Sequence, residues 1–141
     1  MIFRAAVSGW DAEVVRIIRN SGRQWMTRDT HAISYDEQQQ WWAARDADTC
    51  RIWIGRVAAT DVGYGLIRLH AGKWWASLAV HPRYQRQGYG TAIYRHLALS
   101  IDQDVWAEIL ADNTPSIKAC LNAGFQVAWA MDKHAVLVHK K

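Results

Sequence analysis

The sequence predicts a mixed α/β domain of the α+β type, and three observations carry that reading. Apolar residues recur at helical spacing in about four segments, while six or seven short β-prone runs bounded by turn residues lie between them. The two kinds of segment interleave in the order β-α-α-β-β-β-α-β-α-β-β, with no composition break, linker or repeat. At 141 residues and 50% hydrophobic, the chain is long enough to bury one core without disulfide or metal staples, so a single domain over residues 1–141 is expected.

Each element has a local reason. Ile2 to Val7 reads as a first strand. Asp11 to Asn20 reads as a helix with Val14, Val15, Ile17 and Ile18 on its apolar face, ended by Ser21-Gly22. Ser34-Tyr-Asp-Glu37 matches a capping box, which starts a second helix from Tyr35 to about Ala44, with Trp41 and Trp42 near its end. Arg51–Val57 and Val62–Leu69 read as consecutive antiparallel strands around an Ala-Ala-Thr-Asp turn, and Lys73–Val80 follows His70-Ala-Gly72. Pro82 cannot continue a strand ladder and marks its end.

Gly88 to Ser100 then places Ile93, Leu97 and Ser100 at helical spacing, with Tyr94 and Leu99 widening the stripe. Val105–Leu110 is a strand. Thr114-Pro115 starts a helix without loss of a needed hydrogen bond, and Gly124 stops it after about Ala123. Phe125–Ala130 and His134–His139 close the chain as two strands about a Met-Asp-Lys turn.

Composition narrows the function classes. The net charge of +4 and pI near 9.3 favour an anionic ligand, but the basic residues are scattered and form no block, which does not favour nucleic acid as a partner. No apolar run approaches the ~20 residues of a membrane span, so no membrane partner is expected. Cys50 and Cys120 show neither metal-ligand spacing nor a redox motif; two reduced thiols and a cytoplasmic location are the expectation, with no metal. Nine tryptophans are many for this length. Most should fill core volume, and Trp25, in the irregular stretch from Ser21 to Thr30, is the best candidate to line a binding pocket.

The most specific stretch is Leu78-Ala-Val-His-Pro-Arg-Tyr-Gln-Arg-Gln-Gly-Tyr-Gly-Thr91, an apolar strand running through a basic glycine turn into a helix. The first N–H groups of a helix have no intrahelical partner and carry the positive end of its dipole, so they bind phosphate, and Arg83 and Arg86 add charge beside them. A Rossmann fingerprint would need glycine where Ile93 stands, and a P-loop would need Gly-Lys-Ser/Thr. The pattern Val80, then Gln85-x-x-Gly88-x-Gly90, then Asn113 and Gly124-Phe125, resembles the GNAT family of N-acetyltransferases over nearly the whole chain.

That resemblance implies an acyl-CoA N-acyltransferase fold: a mixed, mostly antiparallel central sheet of six to seven strands flanked by about four helices. It implies acetyl-CoA as cosubstrate, with Leu78, Ala79 and Val80 along the pantetheine arm and a backbone N–H at or beside Val80 facing the developing oxyanion. Gln85, Arg86, Gln87, Gly88, Tyr89, Gly90 and Thr91 would hold the pyrophosphate, and Asn113 and Ser116 would approach the cofactor, with Lys118 nearby. Asn113 before Thr-Pro also reads as an ordinary helix cap.

The implied acceptor is a primary amine, small or at a protein N-terminus or lysine, attacking directly in a ternary complex. Glu108 is the candidate base, a carboxylate on a mostly apolar strand five residues before Asn113. Asp36, Glu37, His31 and His81 are weaker alternatives. The family commonly has a tyrosine acid seven residues after the asparagine, where this chain has Cys120; that thiol, Tyr89 or Tyr94 could supply the proton. The departure motivates a second reading, an acyl-CoA-binding sensor or interaction module with weak catalysis. The acceptor itself and the choice between monomer and homodimer are not legible in these residues.

Overall fold

Seven strands join in one sheet in a computed structural model that describes residues 1–141. The strands are β1 Ile2–Ala5, β2 Cys50–Val57, β3 Thr60–His70, β4 Lys73–Val80, β5 Val105–Leu110, β6 Gln126–Ala130 and β7 His134–His139; the helices are α1 Gly9–Ser21, α2 Tyr35–Ala44, α3 Tyr89–Leu99 and α4 Thr114–Asn122. Their succession is the one expected, with two added single-turn 3-10 segments at Arg23–Trp25 and Pro82–Tyr84. The spatial order is β1-β2-β3-β4-β5-β7-β6, and every pairing is antiparallel except β4 with β5. No helix is long and apolar enough to cross a membrane.

Period-two alternation divides the sheet into two faces. Ile67, Trp74, Ala76, Val105, Ala107 and Leu137 pack with Ile93, Tyr94 and Leu97 of α3 and Cys120 of α4. Ile52, Ile54, Tyr64 and Ala79 pack on the other face with Val15 and Ile18 of α1. Gly63 and Gly65 let α3 lie directly on β3, since a Cβ on Gly65 would stand 2.6 Å from Ile93 Cγ2 and one on Gly63 would stand 3.0 Å from Ile93 Cδ1. That close approach sets where the N-terminus of α3 meets the end of β4.

Two stripes are narrower than the sequence predicts. Ile17 is exposed on α1, where the buried face runs instead through Ala12, Val15, Ile18 and the aliphatic stem of Arg19, and Leu99 is exposed at the end of α3. The hairpin between β2 and β3 is also tighter, with Val57 pairing Thr60 around Ala58-Ala59. The capping box is formed as expected: Glu37 N–H donates to Ser34 Oγ at 3.1 Å and Ser34 N–H to Glu37 Oε1 at 3.1 Å.

Candidate active site

β4 and β5 run parallel and pair only from Trp74↔Val105 to Ala76↔Ala107. Beyond that point they diverge, because β4 turns into the Pro82 segment while β5 continues beside β7 as far as Leu110↔His134. The opening leaves Ser77 to Val80 without a strand partner on the β5 side. It forms a groove of about 940 Å³ that crosses the sheet and is lined by Leu78, Ala79 and Val80 on one wall and Glu108 and Ile109 on the other.

On the α3 face the groove meets the glycine turn. Arg86 has φ +65° and Gly88 has φ +84°, so the chain makes two left-handed steps before α3 begins. Gly88 occupies the N-cap with no side chain to bond the first helical amides, which leaves them without a capping partner. Gln85 Nε2 donates to the Val80 carbonyl at 3.2 Å, tying the turn to the strand end. Gln85, Arg86, Gly88, Tyr89, Gly90 and Thr91 all line the groove. Gln87 does not; its Oε1 accepts from the Tyr89 hydroxyl at 3.3 Å.

Asn113 and Ser116 line the groove from α4. Asn113 stands at the N-cap yet its side chain makes no capping bond, so the cap reading does not describe what this side chain does. Ser116 Oγ and the Tyr94 hydroxyl lie 2.7 Å apart, and burial pushes the Tyr94 phenol up from its ordinary value.

Cys120 departs from expectation. It is fully buried among Ile93, Tyr94 and Phe125, away from the groove, and burial pushes its thiol up to about 12. Seven-residue spacing aligns two side chains only when both belong to the helix, and Asn113 has ψ +67°, outside it. Along α4 the repeat sorts Ser116, Ala119 and Asn122 to the groove and Ile117 and Cys120, with Ala123 at the C-cap, to the core, a signal that helical periodicity already contained. A thiol held near 12 is a poor proton donor to a CoA thiolate whose conjugate acid resembles cysteine at ~8.5. Cys120→Ala is therefore expected to lower stability by about 1 kcal/mol through lost packing and to leave kcat within about twofold. Urea unfolding and steady-state rates check both halves.

On the α1 face, Glu108 projects opposite to Ala107 and Ile109 and is mostly shielded from solvent. Its Oε2 accepts from Arg28 Nη2 at 2.9 Å. Its Oε1 is buried with no hydrogen-bond partner; His134 Nδ1 is 4.0 Å away. Arg28 comes from the loop between α1 and α2, which also brings Trp25, Met26 and Asp29 to the groove. Trp25 is thus where the sequence places it. The loop is held by Arg19, whose buried guanidinium donates to the carbonyls of Asp29, at 2.6 Å, and His31. Asn20 exchanges two hydrogen bonds with the Ile33 backbone. His31 sits between Asp29 and Glu37, and its hydrogen bonds to Asp29 and then Glu37 hold its imidazole above the usual range.

The alternative bases therefore have other work. Glu37 caps α2, Asp36 is exposed on its first turn, and His31 clamps the loop. His81 Nδ1 accepts from Arg83 N–H at 3.2 Å, capping the Pro82–Tyr84 turn away from the groove. Arg19 and Arg28 were not singled out in the sequence. Arg19 lies on α1, where its role depends on a loop that follows the helix, and Arg28 lies in a stretch without hydrophobic periodicity with its partner 80 residues distant.

A sheet split between its fourth and fifth strands, with a glycine turn at one mouth and a shielded carboxylate at the other, is the architecture of an acyl-group transferase. The sequence model described as acetyltransferase (GNAT) family matches residues 15–125, and the chain belongs to that family. No curated protein matches its sequence. Solved structures share the fold at low identity. yncA of Salmonella typhimurium, solved with its cofactor acetyl-CoA, aligns with a TM-score of 0.80 at 18% identity, covering 99% of this chain and 93% of that one. A ribosomal-protein-alanine N-acetyltransferase from Brucella melitensis aligns at 0.81 and 16%, covering 100% of both chains. A phosphinothricin acetyltransferase from Sinorhizobium meliloti, in complex with acetyl-CoA, aligns at 0.82 and 14%, covering 99% of this chain and 87% of that one.

Proposed function

We propose that this chain is an acetyl-CoA-dependent N-acetyltransferase in which a primary amine attacks the thioester directly within a ternary complex. The observation that carries the reading is the divergence of β4 and β5 after Ala76↔Ala107, which joins the helix-terminal turn on one face to Glu108 on the other through one continuous groove. Acetyl-CoA, when bound, supplies an activated acetyl thioester. The residues present fit it: the uncapped amides of α3 and Arg86 suit its pyrophosphate, and the unpaired edge from Ser77 to Val80 suits the amides of an extended pantetheine, as an added strand would pair.

Glu108 Oε1 takes one proton from the incoming ammonium, which frees the nitrogen lone pair for attack. The new C–N bond forms as the C–S bond breaks, and the second nitrogen proton passes to the departing thiolate. Backbone N–H at the end of β4, by Val80, faces the oxygen on which negative charge develops. The Tyr94 and Ser116 hydroxyls pair in the groove lining and would donate a hydrogen bond to the sulfur; full proton transfer from a phenol pushed above its ordinary value would run uphill. Both cysteines are unpaired and buried, which supports a reducing compartment such as the cytoplasm.

The test is incubation of the protein with labelled acetyl-CoA and a cell extract. Saturable acetyl-CoA binding with label transferred to an amine, matched by CoA release, is the expected result. Saturable binding with no labelled product above background would leave the sensor reading in its place.

A further inference from the structure

From the acceptor end of the groove we infer that the acceptor is an amino-carboxylate with an apolar body, an amine whose own carboxylate stands within two bonds of the nitrogen-bearing carbon. The inference rests on the acetyltransferase reading and concerns the same site. Its first support is the pair at the base of the groove. Glu108 offers one oxygen without a partner, while the other is held by a single Nη2 of Arg28, whose side chain is 78% exposed. A guanidinium has five N–H donors, and no other hydrogen bond from Arg28 is formed within the protein. An ammonium against Oε1 and a carboxylate against Arg28 complete both groups at once, in a four-charge arrangement of alternating sign.

A second orphan stands in the same lining. Trp75 lies on the Glu108 face of the sheet, two strand positions before Ser77, and its indole Nε1 is buried with no acceptor. This end of the groove thus holds an unpartnered carboxylate oxygen and, in Arg28, Arg68 and the Trp75 indole, donors with free capacity. An amine alone satisfies only the first.

Charge selects in the same direction. Arg19, Arg28 and Arg68 line this end against the carboxylates of Asp29 and Glu108, and Asp29 is already bonded to the His31 ring. A polyamine or aminoglycoside would bring several cations to one available carboxylate beside three guanidiniums. Trp25, Met26 and Trp75 supply the apolar wall for the body of the molecule. Arg19 is committed to the loop carbonyls, and of Arg28 and Arg68 it is Arg28 that is hydrogen-bonded to Glu108 and so stands beside the amine site to grip the ligand carboxylate.

The test uses the full chain with acetyl-CoA and the twenty amino acids, each beside its C-terminal amide, with spermidine as a polycation. At least one amino acid should be acetylated with kcat/KM about 30-fold above its amide, the scale of one charge-assisted bidentate contact. Arg28→Gln should bring that ratio to within about threefold, because a neutral amide cannot discriminate acid from amide by charge. Amides taken as well as acids, or spermidine taken in preference, would overturn the inference while the acetyltransferase reading stands. If acetyl-CoA binds and nothing is acetylated, that reading fails, and thermal shift of the acetyl-CoA complex decides the inference. A shift with amino acids and none with amides supports it, and no difference overturns it.

Discussion

Replacing Glu108 by Gln is expected to lower kcat/KM for the amine about 100- to 1,000-fold while the acetyl-CoA Kd stays within about twofold. Gln keeps the shape of the side chain, and its amide oxygen can still accept from Arg28 Nη2, so the loop that carries Trp25 and Asp29 has its anchor. What is removed is proton acceptance at Oε1, the oxygen that has no partner within the protein. The glycine turn proposed to hold the pyrophosphate of acetyl-CoA lies across the sheet on the α3 face and should not register the change. The pH profile separates chemistry from packing: a base contributes the acidic limb of kcat/KM, and E108Q should flatten that limb as well as lower the plateau. A loss of rate with the limb intact would mean that Glu108 only positions Arg28. A rate within about threefold of the parent would remove it from the chemistry.

The contrast between what was and was not legible in the sequence follows from the range of the interactions. The β4–turn–α3 segment was readable because its determinants are neighbours: strand alternation to Val80, Pro82 as terminator, and Gly88 at a left-handed cap. The capping box at Ser34 and the helix start at Thr114-Pro115 are local in the same sense. The acceptor half depends on contacts over long separations. Arg28 reaches Glu108 from a loop whose own shape is imposed by Arg19 and Asn20 of α1, and no residue between 22 and 34 carries that information by itself. Cys120 marks a middle case. Its spacing from Asn113 suggested the groove, while the helical register set by Ile117 and Ala123 placed it in the core. Gly63 and Gly65 read as ordinary strand residues until α3 is laid against them.

Gly88→Asp and Gly88→Asn, compared with each other, should separate phosphate binding from the backbone geometry that permits it. Gly88 has φ +84°, a conformation in which Asn and Asp are the best tolerated side chains, and no atom lies within 4 Å of a Cβ built there. Both variants should therefore fold with similar strain. They differ in one charge at the N-terminus of α3. In the ligand-free protein that charge is favourable, since a carboxylate at the N-terminus of α3 complements the helix dipole, so G88D should unfold at a temperature equal to or above that of G88N. With acetyl-CoA the order reverses. The Asp carboxylate stands beside the amides that the pyrophosphate needs and repels it across a few ångströms, which at an intermediate effective dielectric corresponds to about 100-fold weaker binding than G88N shows. Raising salt should narrow that gap, because the repulsion is partly exposed to solvent. A loss of stability in G88D alone would point to strain at the turn. Equal acetyl-CoA affinity for the two variants would mean that the phosphates do not sit on this helix end. Opposite signs in stability and affinity from one carboxylate are the signature of a helix terminus kept uncapped for a ligand.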